Sequence, residues 1–269
     1  DPPRAAAVYA TIAGLMSLAP AVGPVLGGVV TQEFGWRATF WLLVGFTALL
    51  LVASGVRLAE TAPQFDRDAL APARLVATYR ALACHRGFLA HAAIATATYT
   101  GLFCFISGSS HVVQTGLGLG PRDFGFVFAA VVGGYLLGSL VARQISPRLG
   151  VRRMLRLGVV WCFLCGWTGP AALILAGPSL ATVALPVVLY MVGFALAQPN
   201  AQSGAIAPFP HMAGRASALL GFLQWGLAAL GGLIVAALLD TAGWTMAVGI
   251  ALSGTAALAS LALLPREAG

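Results

Sequence analysis

The chain has 269 residues, of which 59% are hydrophobic and only 9% are charged. Soluble globular domains carry about 25% charged residues, so this composition argues against a soluble domain and indicates a polytopic α-helical membrane protein. The formal net charge is +7, and the basic residues are all arginine. Because they are scattered through short segments between apolar runs, orientation in a bilayer explains them better than nucleic-acid binding does.

Eight apolar runs approach the length of about 20 residues that a membrane-spanning helix needs. Membrane strands would instead alternate polar and apolar residues over about ten positions. We therefore predict an all-α fold. The expected spans are Tyr9–Val30, Thr39–Val56, Phe88–Gly108, Phe124–Val141, Leu155–Ala176, Leu180–Gln198, Ala216–Leu239 and Met246–Leu264.

The arginines predict the orientation of these spans. If the chain starts in the cytoplasm, thirteen arginines fall in cytoplasmic segments, and only Arg37 and Arg122 fall on the opposite side. Cytoplasmic loops of membrane proteins carry an excess of basic residues. We therefore expect both ends of this chain to be cytoplasmic.

The stretch APAVGPVLGG, residues 19–28, places poor helix formers inside the first predicted span. Glycines one turn apart allow a neighbouring helix to approach closely, and prolines bend a helix whose freed carbonyls neighbouring helices can satisfy. A generic packing face of small residues is the alternative. The residues concerned are Pro20, Gly23, Pro24, Gly27 and Gly28.

Several motifs resemble one transporter family. The stretch GPVLGG, followed by FGWRATFW and AET, resembles the fifth and sixth helices of drug:proton antiporters of the major facilitator superfamily. The stretches at 86–92, 101–114 and 124–129 are similar to the seventh and eighth helices of its Bcr/CflA drug-resistance branch. The block QPNAQSGAIAPFPHMAGRASALLGFLQ, at 198–224, is the most specific of these similarities.

The resemblance implies an architecture. It implies a major facilitator superfamily-like helical bundle in which this chain supplies about eight of twelve membrane helices, without the first four. Residues 1–61 would hold the last two helices of the amino-terminal half, 62–86 a cytoplasmic linker, and 87–269 the six-helix carboxy-terminal half. We accordingly expect the chain to be part of a longer protein.

The resemblance also implies a function. The intact relative would export small amphipathic drugs, of the bicyclomycin or multidrug type, by alternating access in the bacterial inner membrane. The proton gradient would supply the energy without a cofactor, and no enzymatic step is expected. Its partners would be drug-like molecules, protons and lipid, without nucleic acid, and the full-length protein would be monomeric. The glycine-proline helix would then limit proton leak between the two bundles.

Cargo contacts are expected from aromatic and amide side chains, because no Asp, Glu or Arg lies near the middle of a predicted span. A drug site is concave and largely apolar with few polar groups, and aromatic rings can hold cations. Packing in the helix core is the alternative role. The candidates are Tyr99, Phe103, Tyr135, Asn200, Phe222, Gln224 and Trp225, and Tyr190 and Gln198 on the sixth predicted span are considered with them.

Two further patterns favour structural roles. Cys162 and Cys165 form a C-x-x-C in an apolar run without a second cysteine pair, which indicates packing rather than a metal site. The stretch 138–155 resembles a degenerate loop signature of the superfamily, with Ala142 or Arg143 at the usual acidic position. Its arginines either fix topology beside anionic lipid or take part in gating. They are Arg143, Arg148, Arg152 and Arg153.

Three alternatives to drug export remain open from the sequence. A metabolite or sugar carrier of the same superfamily would carry more polar and charged residues within its spans. A membrane-embedded enzyme would need converging His, Asp, Glu or Ser residues, and none converge here. A truncated remnant would not transport at all.

Overall fold

The computed structural model describes residues 22–23, 25–57 and 72–264, and these ranges are almost entirely helical. The helix α4 continues into a π-helical turn at Val112–Gly116. Short 3₁₀ turns precede α7 and follow α8. The helices are α1 (25–34), α2 (Trp36–Arg57), α3 (Pro72–Cys84), α4 (Arg86–His111), α5 (Pro121–Ala176), α6 (Leu180–Ile206), α7 (Ala213–Ala237) and α8 (Trp244–Ser260).

Six of these helices, α2 and α4 to α8, are long and apolar enough to cross a membrane. The described helices cover seven of the eight predicted spans, and the prediction of an all-α membrane bundle is confirmed. Most of the first predicted span, Tyr9–Val30, lies outside the described residues. The helix α2 is apolar all round, as expected of a membrane span.

The helix α5 contains two spans. Its 56 residues would extend about 84 Å at 1.5 Å per residue, against a hydrocarbon core of about 30 Å. Gly150 interrupts it, with φ 74° and ψ 162°. Only glycine adopts this conformation without strain, so Gly150 separates a first arm, 121–149, from a second arm, 151–176.

Contacts with α6 show that the two arms run in opposite directions. Along the first arm, increasing residue numbers meet increasing numbers in α6, in the pairs Gly134–Val188 and Gly138–Val192. Along the second arm the order is reversed, in the pairs Trp161–Leu189 and Gly169–Pro186. The arms therefore form a hairpin, which accounts for the two spans predicted here.

The helix α4 lies at the centre of the bundle and contacts α6, α7 and α8. It runs parallel to α7, in the pairs Thr100–Gly231 and Gly108–Val235. It runs antiparallel to α8 and α6, in the pairs Cys104–Gly249, Gly108–Met246, Tyr99–Phe194 and His91–Gly204. The six spans from α4 to α8 thus alternate in direction, as the sequence predicted.

Glycines allow the backbones of this bundle to approach closely. A Cβ atom added at Gly158 would lie 2.8 Å from the carbonyl oxygen of Gly193 and 2.5 Å from the nitrogen of Ala197. Lipid tails are as apolar as leucine, so membrane helices associate through such close packing rather than through expulsion from water. The contact between α5 and α6 is the most extensive in the bundle.

The predicted cytoplasmic linker ends in a helix that docks on the bundle. Leu82 of α3 is fully buried, and the guanidinium of Arg215 donates a hydrogen bond to the Thr78 hydroxyl at 3.2 Å. His85 then begins α4, because its Nδ1 accepts from the Phe88 N–H at 3.1 Å. The helix α3 therefore packs against α4 and α7.

Asp240 anchors the start of α8. Its carboxylate accepts hydrogen bonds from the N–H groups of Trp244 and Thr245 at 2.9 and 2.8 Å and from the Thr245 hydroxyl at 2.8 Å. These donors belong to the first turn of α8, where the helix cannot satisfy them itself. Partial burial raises the pKa of Asp240, but the hydrogen bonds outweigh this effect and hold the pKa below its ordinary value.

We predict that Gly158→Ala destabilises the protein and that Gly133→Ala does not. A Cβ atom at 158 would press on the α6 backbone, whereas one at 133 would meet no described atom within 4 Å. Overpacking costs about 1–3 kcal/mol, while Ala in place of Gly favours a helix by about 1 kcal/mol. Thermal unfolding of both variants in detergent measures the difference. Equal melting temperatures would contradict the tight α5–α6 contact.

We predict that Asp240→Ala lowers the melting temperature at pH 7 and has a smaller effect in acid. Because the pKa of Asp240 is lower in the folded protein than its ordinary 3.8, its stabilising contribution is complete above that value and is lost as the pH falls through the folded pKa. Melting curves of wild type and variant between pH 7 and pH 3 test this. A difference that stays constant across the range would refute the role of the charge.

Candidate functional site

Four of the predicted cargo residues come together in the middle of the bundle. The rings of Tyr99 and Phe103, one turn apart on α4, have centroids 5.5 Å apart. Trp225 of α7 lies 5.2 Å from Tyr99 and 5.7 Å from Phe103. Phe194 of α6 lies 6.0 Å from both Tyr99 and Tyr135. We call these five residues the aromatic cluster, and their spacing is typical of favourable ring contacts.

One edge of the aromatic cluster is open. Trp225 is 57% exposed although its ring packs against α4, and Phe222 is 74% exposed. Residues three apart lie on the same face of a helix, so these two side chains extend the cluster along α7. Phe194 is buried at the opposite edge. The cluster therefore presents an aromatic surface that the described residues leave uncovered at α7.

Amide side chains lie beside the aromatic cluster. Gln198 is 6% exposed, and its Oε1 accepts from the Thr98 hydroxyl at 2.9 Å. Gln224 is 4% exposed, and its Oε1 accepts from the Gln202 amide at 3.4 Å. We call Gln198, Gln202 and Gln224 the amide group. Gln198 and Gln202 follow Phe194 at a spacing of four on α6, so the amide group continues from the aromatic cluster along one stripe of that helix.

The helix α6 supplies one residue per turn to this region. Tyr190, Phe194, Gln198 and Gln202 recur at a spacing of four, which places them along one stripe of the helix. The Tyr190 hydroxyl donates to the Thr98 carbonyl at 2.9 Å and so ties α6 to α4. This stripe positions both the aromatic cluster and the amide group.

Asn200 lies outside this arrangement. Its amide nitrogen donates to the carbonyl of Leu196 at 2.7 Å, within its own helix. The expectation that it contacts cargo stays a prediction. The acidic residues of the described ranges, Glu33, Asp123 and Asp240, lie at helix ends or in a loop. The aromatic cluster and the amide group therefore form an uncharged site.

A separate groove of about 630 Å³ lies between α4, α7 and α8. On α7 it is lined by Gly231 and Ile234, on a different face from Phe222 and Trp225. Hydroxyl groups in its wall, including those of Thr100 and Ser253, already bond to backbone carbonyls. The groove is thus an apolar surface without the convergent polar groups of a cargo site.

The glycine-proline stretch is described only in part, since Pro20 and Pro24 lie outside the described residues. A Cβ atom at Gly28 would lie 2.8 Å from the Pro121 carbonyl oxygen, so α1 approaches the start of α5 there. Gly23 and Gly27 face no described atom within 4 Å. The close approach predicted from Gly23 and Gly27 therefore stays a prediction, and the contact at Gly28 is an observation that the sequence did not predict.

The arginines of the predicted loop signature flank the reversal at Gly150. Arg143, Arg148 and Arg153 are exposed, and Arg152 is half-buried. Their position at one end of the α5 hairpin agrees with a role at a membrane surface. Nearby in α5, Cys162 is fully buried and its thiol lies 3.7 Å from the Tyr190 carbonyl, which is a packing contact.

A sequence profile of the Major Facilitator Superfamily matches residues 1–232. The chain belongs to this superfamily. Its bundle of alternating helices is the arrangement that the resemblance implied, and the membership makes it an integral membrane protein of a transporter family.

Curated relatives within the superfamily are named for drug resistance. The chain is 28% identical to the bicyclomycin resistance protein homolog of Haemophilus influenzae, over 87% of this chain and 59% of that protein. It is 26% identical to multidrug resistance protein D of Escherichia coli K12, over 77% of this chain and 51% of that protein. It is 26% identical to multidrug resistance protein MdtL of Escherichia fergusonii, over 93% of this chain and 61% of that protein. The chain thus spans between 51% and 61% of the length of these relatives.

Thr98, Phe194 and Gln202 were not among the site residues predicted from the sequence. The signal for two of them was present, because Phe194 and Gln202 stand four residues on either side of Gln198. Thr98 gave no such signal, since a threonine inside an apolar helix commonly bonds to its own backbone. Only the packing of α4 on α6 brings its hydroxyl to Gln198.

We predict that Thr98→Val destabilises the protein by about 1 kcal/mol and that adding Gln198→Leu recovers part of the loss. The single variant removes the Thr98 partner of a buried amide, whereas the pair replaces both polar groups with apolar ones. Melting temperatures of both single variants and the double variant give the coupling. Strictly additive effects would show that the two side chains do not interact.

Proposed function

We propose that this chain forms part of a secondary active transporter that exports small amphipathic, drug-like compounds by alternating access. The observation that carries the proposal is the aromatic cluster, which four spans assemble inside a superfamily bundle and leave open at α7. Aromatic faces bind flat apolar molecules and organic cations. The drug-resistance names of the relatives agree with such cargo.

In this proposal, cargo enters the bundle and rests against Trp225 and Phe222. Rocking of one helix bundle against another would then transfer the site between the two membrane surfaces. The energy would come from inward proton flow, as the resemblance implies. The protein would lie in the bacterial inner membrane, with the arginine-rich end of the α5 hairpin at the cytoplasmic surface.

A metabolite or sugar carrier of the same superfamily is the second candidate. Sugars need many directed hydrogen bonds, and a site for charged metabolites needs charged partners. The described site instead consists of five aromatic rings and three amides. This composition favours amphipathic cargo.

The direct test is drug accumulation in an efflux-deficient bacterial host that expresses the full-length gene. We expect less intracellular ethidium in expressing cells than in control cells, and we expect a proton uncoupler to abolish the difference. Ethidium levels that are unaffected by expression, repeated over a broad drug panel, would contradict export. If export continues in the presence of the uncoupler, proton coupling is contradicted but export is not.

We predict that Trp225→Ala reduces ethidium export about five- to thirtyfold, because a desolvated aromatic contact to a cation contributes about 1–2 kcal/mol. Trp225→Phe should keep most of the activity, because an aromatic face remains. Trp41→Ala is the matched control, since Trp41 is 73% exposed on α2 and belongs to neither group. Transport rates are compared at equal amounts of protein in the membrane. Equal loss in the Trp225→Ala and Trp41→Ala variants would exclude a specific role for Trp225.

A further inference from the structure

The amide of Gln198 has an unused hydrogen-bonding atom in the interior of the bundle. Its Oε1 bonds to the Thr98 hydroxyl at 2.9 Å. Its Nε2 is buried and has no partner among the residues that the structure describes. Leaving a buried polar atom unpaired costs about 1–3 kcal/mol. A molecule that entered the bundle and reached this atom would therefore supply a hydrogen bond that the described residues leave unmade.

Rotation of the Gln198 amide by 180° still leaves one of its polar atoms without a described hydrogen-bond partner. The Thr98 hydroxyl also lies 2.9 Å from the Ile94 carbonyl, so it can donate there and accept from the Gln198 nitrogen instead. The amide oxygen would then be the atom without a described partner. In both orientations Gln198 offers one free polar atom, a donor in the first and an acceptor in the second.

The surroundings of Gln198 define which molecule fits. Phe194, one turn away on α6, belongs to the aromatic cluster, and Gln202, one turn in the other direction, bonds to Gln224 at 3.4 Å. This long hydrogen bond can be exchanged for one to a bound molecule. The three amides carry both donors and acceptors and no charge.

We propose, on the basis of the transport function proposed above, that the amide group binds the polar part of uncharged substrates whose aromatic part rests on the aromatic cluster. The substrate class is that of neutral molecules with amide or hydroxyl groups, which supply a donor and an acceptor together. Organic cations without hydrogen-bonding groups use the aromatic cluster alone. Gln198 is thereby a residue that determines specificity between these two classes.

Two probes separate the two parts of the site. Chloramphenicol is a neutral aromatic molecule with an amide and hydroxyl groups, and tetraphenylphosphonium is an aromatic cation without hydrogen-bonding groups. Binding of each radiolabelled probe is measured by equilibrium dialysis on the purified full-length protein. The variants are Gln198→Leu and a matched control, Gln114→Leu. Gln114 bonds to Ser110 near the end of α4, away from both groups.

We expect Gln198→Leu to weaken chloramphenicol binding about tenfold and to leave tetraphenylphosphonium binding within about twofold. Gln114→Leu should change neither. Equal effects of Gln198→Leu on the binding of the two probes, or no effect on either, would overturn this inference. Gln198 would then have a structural role or bind a buried water, and the transport proposal would still stand. Failure of the wild-type protein to bind either probe would overturn both proposals.

Discussion

The structure depends on close contact between helix backbones in a medium that offers no hydrogen bonds. In hydrocarbon each span must satisfy its own peptide groups, so the chain forms helices, and these helices gain stability from packing rather than from expulsion from water. Glycines at the contacts of α5 with α6 and of α4 with α7 and α8 make that packing possible. This arrangement holds α4 at the centre and brings α6 and α7 beside it.

The functional features follow from the position of α4. One face of α4 carries Tyr99 and Phe103. Thr98, which precedes Tyr99 in sequence, donates a hydrogen bond to the Gln198 amide oxygen. Aromatic rings and amides are the groups that can contact cargo without placing a charge in hydrocarbon, where charges are costly. Under the proposed function, the aromatic cluster would tolerate cargo of varied shape, and the amide group would discriminate between substrates by hydrogen bonding.

Sequence reasoning was sufficient for the helices and only partly sufficient for the site. Span length and arginine distribution depend on local composition, which explains why the helices and their alternation could be predicted. The meeting of Tyr99, Phe103, Tyr135 and Trp225 depends on which helix faces touch, and the candidates were chosen only by residue type. Thr98 was missed because its role arises from the α4–α6 contact, whereas Phe194 lies at helical spacing from Gln198 and could have been found. Gly28 approaches α5, whereas the close approach was predicted from Gly23 and Gly27.

The central claim is that the flank of α7 bearing Phe222 and Trp225 faces a water-accessible cargo pathway. The most direct measurement is thiol labelling of Phe222→Cys in a full-length protein whose native cysteines are replaced by serine. Leu227→Cys, on the other flank of α7 and also exposed, is the comparison. A membrane-impermeant maleimide should label position 222 in vesicles of both orientations, less so when cargo is bound, and should leave position 227 unlabelled. Absence of labelling at both positions would contradict the account.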